Sequence, residues 1–435
     1  MRCDLWPELK IRQFRHILLY TDMNPYLSAV VEAFLFISLY MQVFLVITLI
    51  EHRDALKRKP TVRPLGAANL PTVSVIVPCF NEQSTVIGTI ESLKRLNYPQ
   101  DKLFIIAVDD GSTDDTWSYI KRYANDPQIK ILQKVNGGKH TAVNLGIANS
   151  QSDIVGCLDA DSFVHAEALN RIVPLFSDPK VMAVAPAVRI RPPQNILERI
   201  QKAEYNIGIF LRKMYSVFNG IHVTPGPFSM FRRSVFDRVG PFRSAHNTED
   251  LEMALRLHSH NMVIENAEHA YVFTTPPSTV RALVKQRVRW TTGFLLNVRD
   301  YRRLLFSRKH GQIGTFTLPA GVISLVTVMF FAGYAAVNAA TTTFNSISEW
   351  QLIGWKWHWP SFHWFFVDTT VVRLLTFALI AMAVVFLFFG KRIATGSWKP
   401  SRDMAYYTAF YGLLAPVWVA ISWGRALTRN VGSWR

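Results

Sequence analysis

The hydrophobic residues of this chain are concentrated in four long runs, one near the start and three in the last third. The first covers 33–50 and the second 311–348, and neither contains a charged residue. The third covers 374–390, and the fourth covers 404–424 with Pro416 inside it. A helix of about 20 apolar residues crosses a bilayer, and a proline kinks such a helix without abolishing it. The pattern therefore predicts four transmembrane helices.

The long segment between the first two runs has the pattern of a soluble domain. Short β-rich runs at 73–78, 103–110 and 154–161 alternate with helix-like segments. That alternation predicts an α/β domain with a mostly parallel central sheet and crossover helices, inserted between transmembrane helices. In such sheets ligands bind beyond the carboxyl ends of the strands, which is where the candidate chemistry occurs.

Composition and charge limit which partners and metal sites this protein can have. The formal charge of +17 comes from 48 Lys and Arg against 31 Asp and Glu, and basic residues cluster beside the apolar runs, at 53–63 and 299–309. Such flanks follow the positive-inside tendency and face anionic headgroups, so we expect membrane lipids and no nucleic acid as partners. Cys3, Cys79 and Cys157 have neither CxxC nor Cys/His spacing, which indicates no disulfide framework and no zinc site.

These patterns divide the chain into four parts: an N-terminal segment with the first span (1–52), a cytoplasmic domain (53–285), interfacial amphipathic helices (286–312) and a C-terminal region of about three spans (313–435). The N-terminus does not have the pattern of a cleaved signal peptide. The basic run after the first span favours a domain inside the cell. The orientation stays open, because the N-terminal flank is nearly as basic and three later spans would place the basic tail outside.

Two pairs of aspartates follow β-rich runs. Asp109 and Asp110 precede a glycine, where carboxylates suit a ribose or a base. A simpler interpretation is a turn in which Ser112 or Thr113 caps a helix over 114–124. Asp159 and Asp161 form an i, i+2 pair that can point to one hard cation. Mg²⁺ or Mn²⁺ held by few carboxylates and by substrate phosphates would neutralise a diphosphate leaving group. This short pattern is also common by chance.

Three further motifs each have two interpretations. Lys139 follows two glycines and could hold a phosphate, or it could be a solvated lysine after a turn. Glu249 and Asp250 open an amphipathic helix, where carboxylates complement the helix dipole but could also deprotonate an acceptor hydroxyl. Arg289 and Trp290 could bind a phosphate and a sugar ring, or they could belong to an interfacial helix.

The order of these motifs carries a resemblance that no single motif does. The sequence contains, in this order, VSVIVPCFNE (73–82), DDGSTDDT (109–116), NGGK (136–139), DAD (159–161), TPGPFSMFRR (224–233), TED (248–250) and QRVRW (286–290). Together they resemble the membrane-integrated family 2 glycosyltransferases, the processive synthases of cellulose, chitin, hyaluronan and poly-N-acetylglucosamine. The resemblance covers about 73–300 by motif and the flanking spans by architecture.

The resemblance implies a GT-A domain with a role for each motif. Asp109 and Asp110 would contact the uridine of the donor, and Asp159 and Asp161 would hold its diphosphate through Mg²⁺ or Mn²⁺. Asp250 would be the catalytic base. The remaining implied roles belong to Glu249 beside the base, Lys139 and Arg289 at the donor, and Gly226, Pro227, Gln286 and Trp290 at the acceptor.

The implied activity is that of a hexosyltransferase that extends a growing polysaccharide and moves it across the membrane. A single in-line displacement would convert an α-linked UDP-sugar, with UDP-N-acetylglucosamine as the expected donor, into a β-linkage. A small accessory membrane subunit is a further partner that the family allows. The chain departs from several relatives in having one clear span before the domain and no regulatory domain after the last span.

Two alternatives stay open. A non-processive enzyme of the same fold would add one sugar to a membrane lipid, and QRVRW (286–290) argues against it. A membrane transporter or channel is an alternative of a different class. Four spans are few for an autonomous transporter, and charged residues within the spans are sparse.

Overall fold

The computed structural model describes residues 25–52, 70–353 and 370–428. Four features of the sequence lie outside the described residues: the N-terminal flank, Cys3, the basic run at 53–63 and the end of the C-terminal tail. The described residues form two compact units, one from 25–48, 342–353 and 370–385, the other from 49–52, 70–341 and 386–428. The candidate site lies in the second unit.

The four apolar runs are helical, as predicted, and shorter helices lie between the first and second of them. In chain order the helices are α1 (Pro25–Glu51), α2 (Val86–Lys94), α3 (Thr116–Ile120), α4 (Lys139–Ala148), α5 (Ala168–Ile172), α6 (Ile196–Val217), α7 (Ser234–Val239), α8 (Glu249–Ser259), α9 (Val280–Asp300), α10 (Leu318–Ile353), α11 (Val371–Thr395) and α12 (Arg402–Thr428). A π-helical turn (Ile313–Thr317) precedes α10. Among the described residues, α1, α10 with its π-helical turn, α11 and α12 are long and apolar enough to cross a membrane.

The soluble segment contains one eight-stranded sheet. Its strands are β1 (Val73–Cys79), β2 (Leu103–Asp109), β3 (Ile129–Gln133), β4 (Ile154–Cys157), β5 (Phe163–Val164), β6 (Val181–Ile190), β7 (Met230–Arg232) and β8 (Val263–Thr274). They lie in the order β3-β2-β1-β4-β7-β6-β8-β5. The pairs β1–β2, β1–β4, β2–β3 and β6–β8 are parallel, while β7 runs antiparallel to both of its neighbours. The predicted mostly parallel sheet is therefore confirmed.

The register of the parallel strands brings their carboxyl ends to one edge. Cys79 of β1 lies opposite Asp109 of β2, which in turn lies opposite Gln133 of β3. Helix α4 packs so closely on this part of the sheet that a Cβ on Gly146 would stand 2.5 Å from Ile76. This contact fixes α4 against the sheet near the middle of β1.

Helix α3 differs from the expectation. It is only five residues long, and Ser112 does not cap it. The Ser112 hydroxyl instead accepts a hydrogen bond from the backbone N–H of Asn81 at 3.0 Å, because the two strand-end loops lie side by side. The N-cap of α3 is Asp115, whose side chain makes no capping hydrogen bond, and the carboxylate of Asp114 accepts from the N–H of Thr116 at 3.0 Å.

Helix α6 connects the sheet to the last membrane helix. It begins at the N-cap Asn195, whose side chain accepts from the N–H of Glu198 at 2.9 Å. Further along, Arg199 and Lys202 lie 3.2 Å and 3.0 Å from the carboxylate of Asp403, which is buried at the start of α12. The helix therefore joins the soluble fold to α12 through charged contacts.

Candidate active site

The carboxylate of Asp110 holds the glycine turn that precedes α4. It accepts hydrogen bonds from the N–H groups of Gly137 at 3.1 Å and Gly138 at 2.9 Å, and from Lys134 at 2.7 Å. Gly138 has a φ of 91°, which favours glycine at this position. The turn places Lys139 at the first position of α4. Asp110 is 3% exposed, so its observed role is to fix this turn.

Asp109 is fully buried beside it at the end of β2. Its carboxylate accepts hydrogen bonds from the N–H of Ser112 at 3.3 Å and from the side-chain amide of Gln133 at 3.1 Å. The predicted contacts of Asp109 and Asp110 with a nucleoside stay predictions.

Three segments that are distant from Lys139 in sequence converge on its side chain. Its ammonium group lies 2.5 Å from the carboxylate of Asp159, after β4, and 3.5 Å from that of Glu249, at the start of α8. Burial alone would lower the pKa of Lys139, but Asp159 and Glu249 outweigh it and raise that pKa well above its usual range. A Cβ on Gly226 would stand 2.8 Å from the ammonium nitrogen. Only a residue without a side chain fits there unless the lysine moves.

A small cavity opens beside this cluster. Its wall includes Lys139, Gly226, Glu249 and Asp250, together with Thr224. Thr224 fixes the first turn of α8, because its hydroxyl donates to the carbonyl oxygen of Asp250 at 2.8 Å. The structure thus brings the predicted lysine, glycine and both acidic residues of the TED motif to one cavity.

Asp250 has the properties of a base that works near neutral pH. Burial, and then the neighbouring Glu249, raise its pKa to about 6, against the opposing effects of Lys139, Arg289 and the backbone N–H of Leu251. A carboxylate with this pKa is deprotonated at pH 7 and binds a proton more readily than an ordinary aspartate.

The second aspartate of the DAD motif lies in an acidic environment. Burial raises the pKa of Asp161 to about 6, with further contributions from Asp159 and Glu82, while the Ser162 hydroxyl donates to its carboxylate at 3.0 Å. Like charges brought together in this way favour a bound cation.

The DAD motif also fits the divalent ion that was predicted. In the part of the chain that the structure describes, no group of three or more His, Cys, Asp or Glu side chains is arranged to hold a metal ion. Two oxygen donors, Asp159 and Asp161, fit a hard cation that takes its other ligands from water and substrate phosphates.

The QRVRW residues lie on α9, outside the lining of the cavity. Arg289 reaches the α8 side, because its guanidinium donates to the carbonyl oxygen of Asn247 at 3.0 Å. Gln286 and Trp290 are held by Arg287, which donates to the Gln286 side chain at 2.8 Å and lies 4.2 Å from the centre of the Trp290 ring. Pro227 follows Gly226 and likewise does not line the cavity.

Arg287 is the functional candidate that the sequence did not reveal. Its guanidinium is buried and lies 2.7 Å from the carboxylate of Glu204 on α6. Within QRVRW the sequence singled out Gln286, Arg289 and Trp290 and passed over the arginine that positions two of them. Its partner Glu204 lies in a different helix and has no motif of its own, so only the tertiary structure shows the pair.

Part of this chain matches a known protein family, and the chain is similar in sequence to two staphylococcal enzymes. Residues 74–240 match the model of the family described as Glycosyl transferase family 2. The chain is 27% identical over 409 residues to the poly-beta-1,6-N-acetyl-D-glucosamine synthase of Staphylococcus epidermidis, with 92% of this chain and 95% of that one covered. It is 32% identical over 269 residues to the enzyme of the same name from Staphylococcus aureus (strain COL), with 60% and 64% covered.

A solved structure shares the fold over nearly the whole chain. It is a mannosyltransferase from Pyrobaculum calidifontis in complex with GDP-Man and Mn²⁺, with a TM-score of 0.62 and 18% sequence identity. The likeness covers 92% of this chain and 99% of that one, and at this identity it shows the fold alone.

Proposed function

This chain belongs to the family 2 glycosyltransferases and has their GT-A fold together with membrane-spanning helices, and from that premise we propose that it is an inverting, processive polysaccharide synthase. The proposed donor is UDP-N-acetylglucosamine, and the names of the two staphylococcal relatives favour a poly-beta-1,6-N-acetylglucosamine product. The observation that carries the proposal is the cavity in which Asp250 lies beside the Lys139–Asp159–Glu249 cluster.

In the proposed reaction the carboxylate of Asp250 takes the proton from a hydroxyl of the acceptor sugar. The oxygen attacks the anomeric carbon of the donor, the bond to the diphosphate breaks, and UDP leaves with the bonding electrons. Attack opposite the leaving group inverts the anomeric centre, so an α-linked donor gives a β-linked product. The raised pKa of Asp250 suits it to this proton transfer at neutral pH.

The donor would be bound by the carboxyl ends of the strands. Asp109 and Asp110 are proposed at the uridine, with Lys139 and Arg289 near the diphosphate. Asp159 and Asp161 would hold Mg²⁺ or Mn²⁺, which when bound would neutralise the charge that develops on the diphosphate. Lys139 would have to exchange part of its contact with Asp159 for this purpose, since that ion pair is 2.5 Å long.

The acceptor would lie between the cavity and α9. Trp290 offers a flat face for a sugar ring, and Gln286 on the same helix offers amide hydrogen bonds. Gly226 in the cavity wall and Pro227 next to it in the chain are the other residues proposed for the acceptor. Arg287 would keep Gln286 and Trp290 in place through the contacts described above.

The domain arrangement belongs to the same proposal. Residues 53–285 would be the cytoplasmic catalytic domain, 286–312 the interfacial helices, and 1–52 and 313–435 the membrane-embedded parts that pass the polymer outward. Membrane lipids, and a small accessory membrane subunit that co-purification would reveal, are the proposed partners.

A direct assay tests the activity. Detergent-purified protein is incubated with a panel of UDP-sugars and Mg²⁺ or Mn²⁺, UDP release is followed, and the product is sized on a gel. We expect release with UDP-N-acetylglucosamine, a ladder of high-mass products, and loss of activity in Asp250→Asn. Asp115→Asn, which changes an exposed carboxylate of the same domain, serves as the matched control.

Other outcomes would revise the proposal. A product of one added sugar would favour the lipid-modifying alternative. A ladder formed from a different UDP-sugar would keep the mechanism and change the substrate. Absence of UDP release with every donor would refute a self-sufficient synthase.

A further inference from the structure

The loop in front of α8 has an unusual backbone. Ala245, His246 and Asn247 have φ angles of 46°, 56° and 62°, so three consecutive residues other than glycine are left-handed. Residues with a Cβ avoid this region, and such conformations persist only where the surrounding structure holds them. The next residues along the chain are Thr248, Glu249 and the proposed base Asp250.

Asn297 of α9 lies at the centre of the contacts that hold this loop. Its side-chain nitrogen is 3.1 Å from the carbonyl oxygen of Ala245 and 2.9 Å from the hydroxyl of Thr248. The same nitrogen lies 2.9 Å from the carbonyl oxygen of Gly293, one turn earlier on α9. The side chain is 1% exposed, so water does not compete for these hydrogen bonds.

The loop 245–248 and helix α9 are also in close steric contact. A Cβ on Gly293 would stand 2.3 Å from the Thr248 hydroxyl oxygen, so α9 can approach only because this position has no side chain. Thr248 occupies the N-cap position of α8, yet its side chain makes no capping hydrogen bond. Its hydroxyl instead donates to the carbonyl oxygen of Ala245 at 3.0 Å and accepts from Asn297.

Two further contacts tie the loop to the same helix. Arg289 donates to the carbonyl oxygen of Asn247 at 3.0 Å, and the His246 ring lies 2.8 Å from the carboxylate of Asp300. The His246 and Asp300 side chains are 30% and 57% exposed, so their contact is the weaker one. The buried amide of Asn297 is therefore the main restraint that reaches both ends of the loop.

We propose that Asn297 is a positioning residue for Asp250: it holds the left-handed loop 245–248 against α9 and thereby fixes the first turn of α8 in the cavity. This inference rests on the proposed function, because it takes Asp250 as the base. Helix α9 also carries Gln286 and Trp290, so one helix sets the place of both the base and the acceptor platform. Transfer requires those two to be aligned, and a displacement of about 1 Å can cost about 100-fold in rate.

The test uses the full-length protein and two substitutions on the same helix. Asn297→Asp keeps the shape of the side chain but replaces its N–H donors with a carboxylate oxygen. That oxygen cannot donate a hydrogen bond to the carbonyl oxygen of Ala245. Thr292→Val is the matched control, because Thr292 is buried and its hydroxyl has no hydrogen-bond partner among the residues described in the structure. If Asn297→Asp does not accumulate, Asn297→Ser, which keeps one hydroxyl donor, takes its place.

Two readouts separate positioning from general damage. We expect kcat for UDP release from UDP-N-acetylglucosamine to fall about 10- to 100-fold in Asn297→Asp, while the donor KM stays within about twofold. Amide hydrogen exchange across 245–251 should become faster in this variant, with exchange in β1 and β2 unchanged. Thr292→Val should match the wild type in both measurements.

Three results would overturn the proposal: an unchanged kcat in Asn297→Asp, a rise in donor KM that accounts for the whole loss, or unchanged exchange across 245–251. If the wild type releases no UDP with any donor, the proposed function fails. The exchange experiment still decides whether Asn297 anchors the loop, so the two failures are distinguishable.

Discussion

Replacing the proposed base should make the protein more stable at neutral pH while it abolishes activity. Asp250 is partly buried in the wall of a cavity and has Glu249 as a neighbour, and these two causes raise its pKa from 3.8 to about 6. The folded protein therefore holds a carboxylate whose charged form is less stable than in the unfolded chain. Asp250→Asn removes that charge and keeps the shape of the side chain.

The sign follows from the two pKa values. Because the folded-state pKa is the higher one, the proton stabilises the folded protein, and this stabilisation is fully present below about pH 4 and is lost as the pH rises through 6. A difference of about two pKa units corresponds to about 3 kcal/mol at pH 8. The advantage of Asp250→Asn over the wild type should thus be up to about 3 kcal/mol at pH 8, about half of that at pH 5, and close to zero near pH 4.

Thermal unfolding of the purified proteins measures this effect. An advantage of that size raises Tm by about 5 °C or more at pH 8 for a domain of 150–250 residues, and by less at pH 5. Asp126→Asn is the control with the opposite sign. The hydrogen bond from Lys94, and then the one from the N–H of Gln128, hold the pKa of Asp126 below its usual value, so its loss should lower Tm at pH 8.

The reasoning is refuted if Asp250→Asn lowers Tm at pH 8, or if its gain is the same at pH 5 and pH 8. The first result would mean that the charge of Asp250 is stabilised by its surroundings. The second would mean that the gain comes from packing rather than from the charge.

Three further outcomes are expected. Arg287→Lys keeps a positive charge near Glu204 but loses the planar group over Trp290, so kcat/KM for UDP release should fall about 10-fold with little change in Tm, and wild-type kinetics would contradict this. Gly226→Ala places a methyl group 2.8 Å from the Lys139 ammonium, so the donor KM in a titration should rise about 10-fold; an unchanged KM would show that the lysine moves aside freely. Removal of divalent ions with EDTA should abolish UDP release and added Mn²⁺ or Mg²⁺ should restore it, whereas activity that persists in EDTA would exclude the proposed metal.

Local patterns were sufficient to predict the architecture. A membrane helix and a buried strand are both recognised from the residues that form them, so the runs at 33–50 and 73–78 were placed correctly from the sequence. The order of the short motifs was likewise sufficient to predict the family. It also predicted functional roles for Lys139 at the donor, Gly226 at the acceptor and Asp250 as the base, and the structure brings these three residues to one cavity.

The contacts that hold the site could not be predicted, because they join residues far apart in sequence. Glu204 and Arg287 are separated by 83 positions, and neither is exceptional in its own segment. The left-handed loop at 245–247 contains no glycine, so no local signal marks it. Ser112 was expected to cap a helix and instead bonds to Asn81, because a neighbouring loop offered a partner that helix-capping rules do not consider.

The contacts between α6 and α12 determine where this protein can be truncated. Asp403, at the start of the last membrane helix, forms ion pairs with both Arg199 and Lys202, and the apolar surface around Ala203 packs beside it. A chain ending before residue 402 would remove the shared partner of these two partly exposed cations, and it would expose the apolar surface around Ala203 to water, which is the larger cost. The last membrane helix thus packs directly against the catalytic fold, at Ala203 of α6 and, through Trp418 and Val419, at Val288 of α9. A water-soluble version of the enzyme would need α6 to be redesigned, and an unrelated membrane anchor could not replace α12.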